Sequence, residues 1–208
     1  MHDCRAAGFD EERLRHVPLG VTTHEVTDVD RRRVQATYEL PEKFILFVGT
    51  LEPRKNLSRL IQAVSSMRDA PPLLIAGMEG WGEEAPVLNH EVRFLGFVPA
   101  HNLPAIYEAC TVFAFPSIFE GYGLPVIEAM AHGAPVVTSR GISTEEVAGG
   151  AAVLVDPLNV DSIVDGIRKA MSSADELRAR GLERARDASW STTAELTIAA
   201  YRDTLERA

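Results

Sequence analysis

The sequence predicts an α/β domain, a doubly wound parallel sheet of about six strands. Three observations carry this expectation. The short apolar runs are continuous rather than alternating, which means burial on both faces, as in a parallel sheet. Segments with helical spacing of apolar residues stand between them, so strand and helix alternate along the chain. The length, 208 residues, suits one substantial domain with its own core, or two very small ones.

FILFV (44–48), bounded by Pro41 and Gly49, is the first strand. Leu57, Leu60, Ile61, Val64 and Met67 follow at helical spacing. LLIAG (73–77) is the second strand, and a loop or short helix runs on through Trp81, whose ring is expected to pack over a strand end. VRFLGFV (92–98) is the third strand, and Leu103, Ile106, Tyr107 and Cys110 mark a short helix. TVFAFP (111–116) is a strand, LPVIEAMAHG (124–133) a helix and APVVTS (134–139) a strand. Ser143 starts a brief helical turn and AAVLVD (151–156) is the sixth strand. Val160, Ile163, Val164, Ile167 and Met171 mark an amphipathic helix, and helical patterns continue to the C-terminus. The first segment ends in a strand-like piece near Leu14–Pro18, and the polar stretch 22–33 reads as a linker.

The net charge of −9 argues against a binder of phosphate backbones, so no nucleic-acid partner is expected. Cys4 and Cys110 lie far apart without metal-type spacing, which suits free thiols in a reducing cytoplasm. The start, MHDCRAAGFDEERL, has acids where a signal peptide needs an apolar core, and no apolar run approaches membrane-spanning length. A cytoplasmic location is expected.

In such sheets ligands sit beyond the carboxyl ends of the strands. Two loops there carry the chemistry. GTLEPRKNL (49–57) follows a strand and opens a helix with Asn56 as its N-cap. Arg54 and Lys55 then stand at the positive end of the helix dipole, which is unfavourable unless a negative group lies between them. A phosphate would fit there; two solvated loop cations is the other reading. In FEGYGLPVIEAM (119–130), Pro125 suits a first helical turn, and Gly121 and Gly123 allow close backbone approach. The free N–H groups of that helix start make a second anion site. Glu120 lies in the loop before it. Glu128 falls one turn inside, among Val126, Ile127, Ala129 and Met130. A carboxylate in such a run needs partners if buried. Sugar hydroxyls could supply them; a solvent-facing stripe beside a basic side chain is the alternative.

FEGYGLPVIEAMAHGAPVV resembles the Glu-x7-Glu signature of retaining family-4 glycosyltransferases, and GTLEPRKNL resembles their phosphate-binding loop. FLGFVPAHNLPAIYEACTVFAFPS and STEEVAGGAAVLVDPLNVDSI follow the same family's pattern, in order. The resemblance implies the GT-B fold, two Rossmann-like domains facing a cleft, with this chain similar to the C-terminal, donor-binding one. The boundaries it implies are 1–33 for a remnant strand and linker, 34–188 for the Rossmann-like donor domain, and 189–208 for a C-terminal helix that packs on the N-terminal domain. The outer face of that helix, around Tyr201 and Leu205, is expected to be exposed.

It also implies roles. Glu120, Arg54 and Lys55 are the expected catalytic residues, Glu120 orienting the transferred sugar and the two cations neutralising the diphosphate. Gly49 and Thr50 of the phosphate loop, Phe97 and Val98 beside the base, Gly121, Tyr122, Gly123 and Leu124 at sugar and phosphate oxygens, and Glu128 at the ribose complete the donor site. Breaking the glycosidic bond builds negative charge on the diphosphate, which protein groups can meet, so no metal cofactor is expected. Retention in this family is attributed to front-face displacement. The donor is expected to be GDP-mannose or another nucleotide sugar such as a UDP-hexose; EPRKN resembles mannosyltransferases of bacterial surface polysaccharide assembly. The acceptor is a glycan or a lipid-linked sugar, the latter bringing the full protein to a membrane surface. The family's acceptor domain has no counterpart here, so this chain alone is expected to transfer little. The alternative is a non-catalytic nucleotide-binding module that pairs with a separate acceptor-domain partner.

Some positions depart from the pattern or stand outside it. Thr50 takes a place where some members have arginine, and Glu145 one where proline is common. Ser143 with Glu146, and Thr192 with Glu195, read as capping boxes, with Trp190 starting the last helix. Asp28–Asp30 resembles a metal motif of the other glycosyltransferase fold by chance. His132 reads as a surface or dipole-complementing residue at a helix end, and His90 and His101 as loop residues.

Overall fold

The computed structural model describes residues 2–78 and 92–206; Trp81 and His90 fall outside these residues. The chain divides into two compact units, Thr23–Asp187 and a smaller one made from the two chain ends.

The larger unit is built on one sheet of six parallel strands, β1 (Ile45–Val48), β2 (Leu73–Ala76), β3 (Val92–Gly96), β4 (Val112–Phe115), β5 (Val136–Ser139) and β6 (Val153–Val155), in the order β3-β2-β1-β4-β5-β6. Every neighbouring pair is parallel. The chain walks outward from β1 to one edge, then returns to the other side of β1, and the reversal falls between β1 and β4. That is where a doubly wound sheet opens a crevice. The expected strands are all present, each a residue or more shorter than its apolar run. β1, β2, β4 and β5 are buried on both faces, as their continuous runs predict, whereas β3 lies at the edge and is largely half-exposed.

The helices of this unit are α2 (Asp28–Tyr38), α3 (Leu57–Ser66), α4 (Leu103–Ala109), α5 (Leu124–Ala131), α6 (Ser143–Ala148), α7 (Val160–Ser172) and α8 (Ala174–Asp187). In α3, Leu57, Leu60, Ile61 and Val64 are buried, one stripe at helical spacing. α7 lies so close to the sheet that a Cβ on Gly166 would come within 2.3 Å of Val155 Cγ1. Phe47, Phe113 and Phe115 are wholly buried and stack at 5.7–5.9 Å between centroids.

Two local expectations change. The polar stretch 22–33 is not all linker: from Asp28 it is α2, opened by a capping box between Thr27 and Asp30. Asp30 is thereby explained without a metal, and the Thr27 hydroxyl, the first of its hydrogen bonds, holds its carboxyl down at about 2. Ser143 is the first residue of α6, not its cap; it makes no capping box with Glu146 and instead donates to the carbonyl of Glu120 at 2.8 Å.

In the smaller unit stand α1 (His2–Ala6), a 3-10 turn at Glu11–Arg13 and α9 (Trp190–Glu206). Residues 14–18 run without strand pairing. They are tied to α9 by Thr193, whose hydroxyl donates to the Pro18 carbonyl at 2.8 Å, and by an Arg15–Asp203 ion pair. α9 does start at Trp190, but Ser189 caps it, its hydroxyl accepting the Thr192 N–H at 3.0 Å. Tyr201 and Leu205 are exposed, as expected. Among the described residues no helix is long and apolar enough to cross a membrane.

Candidate functional site

The carboxyl ends of β1 and β4 flank the topological crevice, and two charged loops leave from them. After β1 the chain turns through Gly49 and Thr50 into a 3-10 turn, Pro53–Lys55, and then α3. The glycine that packing requires here is Gly77, whereas a Cβ on Gly49 would meet only ordinary contacts, none under 3.4 Å. A Cβ on Gly77, at the end of β2, would fall 1.9 Å from the Gly49 carbonyl oxygen, so the two strand-end turns touch backbone to backbone. After β4 the loop from Pro116 to Gly123 leads into α5.

Asn56 holds these loops in place. It stands at the N-cap position of α3, but its backbone is left-handed (φ 60°) and its side chain makes no cap bond. Its Nδ2 instead donates to the carbonyls of Pro116 (2.9 Å) and Pro157 (2.6 Å), and its Oδ1 accepts from Arg59 (2.9 Å). One side chain thus ties the strand-end loops of β1, β4 and β6. The Ile118 N–H adds a bond to the Arg54 carbonyl at 2.8 Å.

The consequence is a triad of charges. Lys55 Nζ donates to Glu120 Oε1 at 2.7 Å, and Arg54 Nη1 donates to Glu120 Oε2 at 2.9 Å. Lys55 and Glu120 are both less than a tenth exposed. The Lys55 ammonium also lies over the Phe115 ring, 4.8 Å from its centroid. The negative group that the two cations required is therefore supplied within the chain by Glu120. Arg54 is clamped on its other side by Glu52, whose Oε2 accepts from Nε at 2.7 Å. Burial opposes the Arg54 charge, but Glu120 and Glu52 outweigh it and hold the guanidinium more firmly protonated than usual.

α5 begins where the sequence places it. Gly123 is its N-cap with φ 103°, and a Cβ there would lie 2.6 Å from Thr144 Cγ2, so glycine is needed for both backbone and space. Gly121 is exposed, and Tyr122 and Leu124 are half-buried around the helix start. Pro125 occupies the first turn. Behind this loop, Ser139 Oγ donates to the Ser117 carbonyl at 2.6 Å and Thr138 Oγ1 to the Phe115 carbonyl at 3.1 Å. The Ser117 hydroxyl itself is buried without a protein partner among the described residues.

Glu128 is not brought to the triad. It is half-buried on α5, and the side chain that meets it is Tyr107 of α4, whose hydroxyl donates to Oε2 at 3.3 Å. A solvent-facing stripe with a basic partner is thus not what the fold provides. Burial pushes the Glu128 carboxyl above its ordinary range, and the Tyr107 hydroxyl offsets part of this. Phe97 and Val98 follow the edge strand β3, three strands from β4, so about 14 Å away at about 4.8 Å per strand. Phe97 is exposed and Val98 is a core residue, leaving only the Val98 backbone to meet a ligand.

The residues that sequence reasoning missed are Glu52 and Tyr107. Glu52 sits two positions before Arg54 and resembles any loop acid. Tyr107 falls on the apolar stripe of its helix, where its hydroxyl gives no periodic signal. His132, at the C-cap of α5, is half-buried with its ring parallel to Tyr107, and burial lowers its pKa, so it is a weak complement to the helix dipole. His101 lies in an exposed turn. Cys4 and Cys110 are free, and burial pushes the Cys110 thiol to about 12. Among the described residues no three His, Cys, Asp or Glu side chains gather to hold a metal ion.

Residues 28–188 match the family model described as glycosyl transferases, group 1. The chain is 38% identical to an O-antigen chain mannosyltransferase B of Escherichia coli over 173 residues, 76% of this chain and 45% of that protein. It is 32% identical over 200 residues to a serotype-specific mannosyltransferase WbdA of Escherichia coli, 87% of this chain and 24% of that protein. Anabaena HepE, solved in complex with UDP-glucose, superposes with a TM-score of 0.77 at 20% identity, over 98% of this chain and 60% of that one. The chain spans about half, or less, of the length of these curated relatives.

Proposed function

This chain belongs to the group 1 glycosyl transferases, and on that premise we propose that it is the donor-binding half of a retaining enzyme that transfers a hexose from a nucleotide-diphosphate sugar to a glycan or lipid-linked acceptor. The hexose is mannose and the donor GDP-mannose, a reading supported by the two mannosyltransferase relatives and by the EPRKN loop. The location is cytoplasmic, and the acceptor domain comes from elsewhere in the full protein or from a partner chain.

One observation carries the proposal: Arg54, Lys55 and Glu120 meet at the crevice between β1 and β4, beside the start of α5. As the bond from sugar to diphosphate breaks, negative charge grows on the leaving group. Arg54, Lys55 and the free N–H groups at the start of α5 are fixed donors for that charge, and fixed donors need no reorganisation at the moment of reaction. Protein groups therefore do the work often given to a metal ion. Glu120 has each oxygen held by a cation, which lowers its nucleophilicity and keeps its orientation. It orients the sugar rather than attacking it, and the leaving phosphate takes the acceptor proton in a front-face displacement. Glu128 takes the ribose hydroxyls, and the exposed ring of Phe97 lies beside the base.

The test is calorimetric titration of the chain with GDP, UDP, ADP and their sugar conjugates, with magnesium or with a chelator. Tight binding of guanine nucleotides without metal, abolished in both Lys55→Ala and Glu128→Ala, is expected. Preference for UDP would overturn the donor assignment. A strict magnesium requirement would overturn the metal-free mechanism. Binding without any transfer when the acceptor domain is supplied would point to the non-catalytic module.

A further inference from the structure

We propose that Tyr107 is the positioning residue for Glu128: its hydroxyl anchors one carboxylate oxygen, so that the other is presented in a fixed direction to the ribose hydroxyls of the nucleotide. The proposal rests on the donor-site reading above and assigns it a further residue.

The Tyr107 side chain cannot swing. It is 1% exposed, with its ring edge-on to Phe113 at 5.4 Å and parallel to His132 at 6.4 Å. Its hydroxyl is therefore fixed by packing, and it reaches Glu128 Oε2 at 3.3 Å. Burial first, and then the neighbouring Glu128 charge, push the phenol well above its usual range, so it is always protonated and always a donor. A carboxylate that receives two adjacent hydroxyls must be held at a set angle, and a half-buried glutamate on an apolar helix has few means of being held.

Among the described residues no charged side chain is seen to hold Glu128, and several charged groups on the elements packed against α5 are engaged elsewhere; His132, parallel to the Tyr107 ring, is the titratable neighbour, its pKa lowered first by burial. Glu108 of α4 pairs with Arg31, and Arg178 of α8 donates to the carbonyls of Gly133 and Cys110. Arg184 of α8 donates to the Val147 carbonyl, and Glu145 of α6 accepts the Gly141 N–H. What acts on the Glu128 carboxyl is burial, which raises its pKa, and the Tyr107 hydroxyl, which lowers it.

The experiment compares the chain with Tyr107→Phe, Glu128→Gln and Glu128→Ala, titrating GDP and UDP between about pH 5 and pH 8. It also follows the Glu128 carboxyl of the free chain by carbon-13 NMR. Tyr107→Phe should weaken nucleotide binding by about three- to tenfold, the indirect effect of losing one long hydrogen bond of ordinary strength. Its binding should also fail at a higher pH on the acid side, because the carboxyl that has lost its donor titrates higher, and the NMR titration should move the same way. Glu128→Gln should remove that acid limb. In a chain carrying 3-fluorotyrosine at position 107, the ring is kept and the donor strengthened, so the limb should move to lower pH even if Tyr107→Phe folds poorly. A merely structural tyrosine would alter stability and leave the limb where it was; wild-type affinity and an unmoved limb would overturn the proposal. Unchanged binding in Glu128→Ala, or no binding of either nucleotide to the wild-type chain, would overturn the donor-site reading on which it rests.

Discussion

Lys55→Met tests whether the charge triad is held for function at the expense of stability. Methionine keeps the length and apolar stem of lysine and removes the ammonium. Glu120, 9% exposed, is then left with Arg54 alone. Stranding one partner of a buried pair costs about 3–5 kcal/mol, and the surviving Arg54 bond at 2.9 Å reduces this to about 2–3 kcal/mol. The lost contact over Phe115, worth about 0.5–2 kcal/mol, is offset in part by the packing of the thioether. At about 2–4 °C per kcal/mol for a chain of this size, the melting temperature should fall by about 5–10 °C. Adding Glu120→Gln removes the stranded charge. The double variant should recover to within about 1 kcal/mol of wild type, because neutral replacements of a buried ion pair are often tolerated. Urea denaturation of the four members of the cycle measures this, and nucleotide titration shows whether both variants have lost binding. A cost below about 0.5 kcal/mol for Lys55→Met, or a double variant as unstable as the sum of the singles, would show the energetic argument to be wrong.

Asn56→Ala removes two hydrogen bonds to carbonyls and places a Cβ-bearing residue without a polar tip in a left-handed conformation. A loss of about 3 kcal/mol is expected by urea denaturation, and Asn56→Gly, which keeps the backbone at ease, should lose about 1 kcal/mol less. Glu128→Gln should raise stability at neutral pH. Burial raises the folded carboxyl above its unfolded value, so the folded state binds more protons, and stability falls as the pH rises through that window. The gain from glutamine should thus be full above the folded pKa and vanish below the unfolded one. Urea denaturation across that range checks it, and a gain that grows towards acid would contradict the sign.

The strands, their parallel arrangement and the helices between them were legible because continuous apolar runs and 3.6-residue spacing are local signals. The two charged loops were legible as well, since Gly123, Pro125 and the Arg54–Lys55 pair announce a turn, a helix start and a pair of cations that needs a negative neighbour in a few residues each. Cap chemistry was less legible. Asn56 and Ser143 have side chains that suit an N-cap, yet both spend them on carbonyls of other loops. A cap bond uses the side-chain oxygen as acceptor and these bridging bonds use its N–H or O–H as donor, but one side-chain orientation serves one or the other, and only the neighbouring loop decides between them.

What the sequence alone determined is the α/β class, the positions of the six sheet strands and of the helices between them, and the family-like order of the motifs, because each depends on residues close together in the chain. What only the tertiary structure decided is who meets whom. Lys55 and Glu120 are 65 positions apart, and Tyr107 and Glu128 are 21 apart. The first pair meets because β1 and β4 are neighbours at the point where the sheet reverses, the second because α4 and α5 pack together. A carboxylate inside an apolar helix is a question in one dimension. Its answer is the group on the facing element, and strand order and helix packing select that group through contacts with no local sequence signature.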